Sequence, residues 1–351
     1  MYIDEFLLGE RDRQILTSVI NEYILTAEPV GSRNISRRYD INLSSATIRN
    51  VMSDLEEMGF LHQPYTSAGR IPTEKGLRFY VDSILKVKSL DQREKDRIRK
   101  RYNFSELEAS DLVKQTSEVL SVLSRHVSIV SAPKLVGTVL KHIEFIKISS
   151  RRILVIFVSQ SGFVQNRIIE DKDDVAQSEL DQYTNYLGKV LVGVSLEQVR
   201  EKIAEEMKNA KTAYDRLFFN ALELTQKVFG EEKDPELFME GQVNLLECPE
   251  FSEVGRMKSL LQALEEKKLL LHLLDKTMDA EGIQIFIGSE VPVSEMQTLS
   301  VITTPYRHSE KVVGALGIIG PTRMDYMKLI PIVEYSAQLL SEFLNVKGSQ
   351  I

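Results

Sequence analysis

The chain has 351 residues, enough for two or three domains. Its 43% hydrophobic and 27% charged residues are ordinary for a soluble globular protein and exclude a fibrous or low-complexity chain. A net charge of -7 excludes global attraction to a polyanion, so any contact with nucleic acid must come from a local basic patch.

Cys248 is the only cysteine, which rules out an intrachain disulfide and favours a reducing compartment. The N-terminal MYIDEFLLGERDRQ lacks the basic and apolar regions of a secretion signal. The most apolar stretches, Ile153 to Val158 and Val312 to Ile319, are too short to span a bilayer. The expectation is a cytoplasmic protein with no membrane partner.

Ile15, Leu16, Val19, Ile20, Tyr23 and Ile24 form a helical stripe over 10–26. Pro29 and Gly31 end that helix, and Ser32 is placed to cap a second one, Arg33 to Tyr39. Ser44 caps a third helix that runs to Met58 and stops at Gly59. Leu61 to Pro72 reads as a hairpin around Ser67-Ala68-Gly69, and Thr73 opens a helix to about Leu85. The charged run 86–101 reads as a solvated helix or linker, and 104–126 as helix.

From 139 the texture changes. Val139 to Ser149, Arg152 to Ser159 and Phe163 to Glu170 are β-branched and aromatic runs, expected as an antiparallel meander. Residues 173–230 are helical in pattern. Leu237 to Leu246 is a candidate strand and Val254 to Leu274 a leucine-rich helix. Strands follow at Ile283 to Gly288, Ser300 to Tyr306 and Lys311 to Ile319, then a closing helix from about Met324 to Phe343. The class is α+β and multidomain. One arrangement that fits is a single α+β domain split by a helical insertion between about 172 and 250.

The chemistry concentrates in 41–76. Ile48, Val51, Met52 and Leu55 fall on one face of the third helix. The opposite face carries Ala46, Arg49, Asn50 and Ser53, flanked by Ser45 and Thr47. Arg donates two bonds to guanine, Asn pairs with adenine, and Ala or a Thr methyl meets the thymine methyl. Ser44, Ser45 and the free N–H groups of the first turn suit a phosphate. Arg33, Arg37, Arg38 and Arg49 lie upstream or early, whereas Asp54, Glu56 and Glu57 collect at the far end. Helix plus hairpin is the pattern of a winged helix-turn-helix. Gly69 is expected to make the tight turn of the wing, with Arg70 beside its tip entering a minor groove or pairing with phosphate. Lys75 and Arg78 are placed to add backbone contacts. The competing reading of the same stretch is a trihelical unit that contacts protein.

SSATIRNVMSDLEEMGFL at 44–61, TSAGRIPTEKGLRFYVD at 66–82, GQVNLLECPEF at 241–251 and IGPTRMDY at 319–326 resemble the heat-inducible transcription repressor family HrcA of bacteria. The resemblance implies a winged-helix domain over 1–88 and a discontinuous GAF-like α/β domain over 103–171 and 251–345. It also implies a mainly helical inserted dimerisation domain over 172–250. A further implication is repression of chaperonin and Hsp70-type operons through an inverted-repeat operator, with the chaperonin GroEL as positive modulator. A two-fold operator suits a homodimer that places one helix on each half-site.

Other signals are weak. Gly314, Gly317 and Gly320 are spaced by three, unlike a dinucleotide-binding loop, and read as a buried strand. His62, His126, His142, His272 and His308 have no second ligand at a metal-binding spacing. Cys248 reads as a structural thiol. No nucleophile elbow, P-loop or metalloprotease motif occurs, so neither enzyme, metal nor cofactor is expected. Arg323 is expected either to form a buried pair or to face the N-terminal domain. The alternative function is a winged-helix regulator controlled by a small-molecule ligand in its GAF-like domain, in a pocket built from 139–170 and 283–319.

Overall fold

The computed structural model describes residues 8–102, 109–133, 139–160, 164–170, 174–194, 198, 236–308 and 311–348. The helical pattern expected over 199–230 lies outside them.

Three helices open the chain: α1 (Glu10–Thr26), α2 (Ser32–Arg38) and α3 (Ser45–Glu57). α2 begins one residue early, with Gly31 in the cap position and no side-chain bond there. At α3, Ser44 Oγ accepts from the Thr47 amide at 3.1 Å. Its buried residues are Ile48, Val51, Met52 and Leu55, the set read from the sequence. Burying each such side chain contributes roughly 1.5–3 kcal/mol, which holds this face on α1 and α2. The helix stops where the Gly59 amide bonds Glu56 O and the Phe60 amide bonds Leu55 O, each at 2.9 Å. That pair of bonds needs a left-handed residue, and Gly59 has φ +78°.

β1 (Leu61–His62) and β2 (Ile71–Pro72) pair antiparallel. Arg70 and Val30 exchange two backbone bonds of 2.9 Å, tying the hairpin to the α1–α2 connection. The left-handed residue at the tip is Ser67 (φ +73°), not the expected Gly69. Gly69 serves a close approach instead, because a Cβ there would lie 2.4 Å from the Val30 carbonyl. α4 (Glu74–Phe79) follows and continues as one π-turn through Tyr80–Ile84. Thr73 Oγ1 caps it, accepting from the Gly76 amide at 3.0 Å.

α5 (Gln92–Arg99) lies in the run read as solvated, yet it packs. Its Ile98 joins Tyr102, Val119 and Leu339 in a small core. α6 (Ala109–Ser124) then leads directly into β3 (Val127–Ser131). No strand is expected at β3, because VSIVS is short, does not alternate strictly and is buried along its whole length.

β3 is internal to a five-stranded antiparallel sheet. Its other strands are β7 (Leu237–Glu240), β8 (Gln284–Ile287), β9 (Leu299–His308) and β10 (Lys311–Pro321). The order is β7-β3-β10-β9-β8. Both faces are covered. Val130, Ile302, Leu316 and Ile318 join the core that also contains residues of the first three helices and of α10 (Tyr326–Gly348). Val127, Ile129, Val301, Ala315 and Ile319 face α8 (Val254–Glu265) and α9 (Lys267–Met278). The leucine-rich helix expected over 254–274 is therefore two helices, broken at Glu266 (ψ 76°). The candidate strand 237–246 ends at Glu240 and becomes a 3₁₀ turn.

The meander is present as β4 (Leu140–Ser149), β5 (Arg152–Ser159) and β6 (Val164–Glu170). These strands form a sheet of their own. α7 (Gln177–Leu191) covers it, packing Leu180, Tyr183 and Leu187 against Ile143, Phe145, Val155 and Phe157. The structure thus groups 140–170 with α7 and not with 283–319. The division drawn between 171 and 172 would cut this core. No helix of the described residues is long and apolar enough to cross a membrane.

Candidate nucleic-acid interface

α3 turns its polar face outward. Ala46, Arg49 and Asn50 are exposed, with Ser45, Thr47 and Ser53 half-buried along its edges. Among the described residues, Arg49 and Asn50 have no ion pair or side-chain hydrogen bond, so both are available to a ligand. Ser44 is exposed, but its hydroxyl is engaged with the Thr47 amide and with Thr47 Oγ1 at 2.9 Å. Arg33 and Arg37 are exposed on α2. Arg38 is not available in the same way, because its guanidinium pairs with Glu22 of α1 at 2.6 Å.

The hairpin is braced rather than loose. Glu56 Oε1 accepts from the Gln63 amide at 2.9 Å, and Gln63 Nε2 donates to Ala68 O at 3.1 Å. Arg70 does not stand free beside the tip, as its sequence position suggests. It pairs with Glu56 at 2.7 Å, and only 19% of its side chain is exposed. This bond neutralises one of the three acids at the end of α3 and anchors the hairpin to that helix. Lys75 is likewise occupied, donating to Met58 O at 2.7 Å at the C-terminus of α3, where the helix dipole favours a cation. Its ammonium also lies over the Phe60 ring, 4.5 Å from the centroid. Arg78 faces the large sheet instead of the hairpin.

The tip itself presents Tyr65, Thr66 and Ser67, all exposed. Tyr65, 64% exposed, was missed from the sequence. An aromatic residue inside the turn run Pro64 to Gly69 is the signal that marks it, since a core residue has no reason to be there. The structure therefore exposes Ala46, Arg49 and Asn50 on α3 and Tyr65 to Ser67 at the tip of the hairpin that is clamped to the end of the same helix. It assigns Arg70 and Lys75 to holding that end together.

Away from this end, His126 sits partly buried before β3, and burial followed by the nearby Arg323 cation lowers its pKa to about 4. Burial first, and Glu250 second, push the half-buried Cys248 thiol up. Among the described residues no cluster of His, Cys, Asp and Glu has the composition of a metal site. A mainly apolar pocket of about 580 Å³ lies beside α8, lined by Leu246, Phe251, Val254, Met257 and Leu261 among others. It is not between the two strand groups, which share no sheet.

A capped helix whose outer-face Arg49 and Asn50 are unpartnered among the described residues, backed by a clamped hairpin, has the character of a DNA-binding regulator of transcription. The family described as HrcA protein C terminal domain matches residues 110–330. The heat-inducible transcription repressor HrcA of Geobacter sulfurreducens is 49% identical over 96% of this chain and 98% of its own length. That of Syntrophobacter fumaroxidans is 46% identical over 97% and 99%. The chain belongs to the HrcA family of heat-inducible transcription repressors. A crystal structure of a hypothetical protein superposes over 97% of this chain and 99% of its own, with a TM-score of 0.63 at 24% identity, and so shares the fold.

Proposed function

We propose that this repressor binds an inverted-repeat operator as a homodimer, with the first three helices and the hairpin of each protomer acting as a winged helix-turn-helix. The observation that carries this reading is Arg49 and Asn50, exposed and without a partner among the described residues, on the face of α3 opposite its buried stripe. In the proposal Arg49 and Asn50 contact base edges, Ala46 meets a thymine methyl, and Ser45, Thr47 and Ser53 line the groove. The amides at the α3 N-terminus, with Ser44, take a phosphate, and Arg33 a second one. Tyr65, Thr66 and Ser67 reach the neighbouring groove or backbone. Arg70 and Lys75 act indirectly, by fixing the hairpin on α3.

Two copies are needed because one small unit offers few base contacts, and tethering two multiplies affinity through effective concentration. The five-stranded sheet with helices on both faces is proposed as the GAF-like unit, built from 109–133 and 236–348. The inserted unit then starts before β4 rather than at 172, and it is the proposed site of dimerisation. The chaperonin GroEL as positive modulator, the chaperonin and Hsp70-type operons as targets, and a cytoplasmic location rest on the family resemblance.

The test is a gel shift on a duplex carrying the inverted repeat. Arg49→Ala is expected to weaken binding by about 1–3 kcal/mol if its contact is bidentate. Wild-type affinity in that variant would remove the base-contact assignment.

A further inference from the structure

Two arginines, Arg78 and Arg323, are used where the N-terminal helices meet the five-stranded sheet and its flanking segments. Arg78, on α4, donates Nε to Glu290 Oε1 at 2.9 Å and pairs through a second nitrogen with Glu290 Oε2. It also donates to Ile285 O of β8 at 2.6 Å. One helical turn earlier, Glu74 Oε2 accepts from the Ser289 amide at 3.1 Å and from the Ser289 hydroxyl. Gly288 makes this seat possible. It has φ +57°, and a Cβ on it would lie 2.1 Å from Glu74 Oε1.

At the other side of the junction Arg323 closes a second contact. Its guanidinium takes both oxygens of Glu250, and a third nitrogen donates to Ile24 O at 3.2 Å. Ile24 lies in the last turn of α1, where carbonyls lack partners within the helix. Arg323 thus forms a partly buried pair, not the fully buried one expected, and at the same time faces the N-terminal helices.

Between these contacts the junction is apolar, with α1 and α4 residues sharing one core with β8 and α10. Apolar contact is non-directional and sets no angle on its own. A two-pronged guanidinium–carboxylate pair does set one, because both partners are planar. We propose that Arg78 and Arg323 are positioning residues that fix the orientation of the DNA-reading unit relative to the sheet, and thereby the half-site spacing the repressor accepts. This rests on the reading of a dimer on an inverted repeat. In such a dimer the two α3 helices must meet grooves on one face of the duplex, and each added base pair turns the second half-site by about 34°.

The experiment is fluorescence anisotropy of the full chain on a single half-site and on inverted repeats whose spacing increases by one base pair. Wild type is expected to prefer its best spacing by at least about tenfold over one half a turn longer. R78Q and R323Q are expected to bind the single half-site like wild type, while that preference shrinks to about threefold or less. E290Q removes the charge and one of the two acceptors from the sheet side, and is expected to shrink the preference in the same direction as R78Q. It carries the test if R78Q lacks a cooperative melt. A sharp wild-type preference left unchanged in R78Q, R323Q and E290Q would overturn the assignment alone. A flat wild-type profile would overturn the dimer reading and this inference with it, and R49A would still report whether α3 touches bases.

Discussion

Arg49 and Arg70 carry the same charge and lie in the same short stretch, yet their roles separate on what surrounds them. Arg49 has no partner among the described residues, whereas Arg70 is held by Glu56. Arg70→Ala is therefore expected to lower stability and loosen the hairpin, with any loss of DNA affinity following from that. Gly69→Ala would place a methyl 2.4 Å from the Val30 carbonyl. It is expected to destabilise by about 1–3 kcal/mol, the usual cost of overpacking, as read by urea unfolding. An unchanged midpoint would refute the close-approach role. His126 gives a pH prediction. Its folded pKa, about 4, lies below the ordinary value of 6.5, so the unfolded chain binds the extra proton. Stability is then fully present above about pH 6.5 and is lost as pH falls toward 4, by roughly 2–3 kcal/mol. His126→Gln should flatten that dependence in unfolding curves at pH 7.5 and 5, and an unaltered slope would contradict it.

At the scale of elements, what depends on near neighbours was legible and what depends on distant ones was not. The buried stripe of α3, its Ser44 cap and its stop at Gly59 are set by a few adjacent residues, so periodicity and capping rules reach them. The partners of Arg70, Lys75 and Arg78 are fixed only when Glu56, Met58 and Glu290 are brought up by the fold. β3 escaped because a strand buried on both faces shows no polar alternation to read. The break at Glu266 escaped because both flanking helices are leucine-rich and no proline or glycine marks it. Thr73 shows how much one capping residue can join. It caps α4 and donates to Gly59 O at 2.7 Å, linking the end of α3 to the start of α4. Thr73→Ala is expected to cost about 0.5–2 kcal/mol by thermal melting, and a loss confined to a few tenths would mean that the link across to Gly59 contributes nothing.

For the whole molecule, the acidic balance and the DNA-binding role fit together. Net charge is -7, but α2 and α3 carry the exposed cations Arg33, Arg37 and Arg49, while Glu56 of α3 is neutralised by Arg70. The rest of the surface is kept off the polyanion by its own charge. The three-stranded sheet with α7 has its own core, so its contribution is separable from that of the DNA-facing end. Hydrogen exchange of the full chain, with and without a duplex carrying the inverted repeat, tests this division most directly. Amides from Ser44 to Ser53 and from Gln63 to Arg70 are expected to gain protection on binding. Protection elsewhere, with 44–53 unchanged, would contradict the assignment of DNA recognition to α3 and its hairpin.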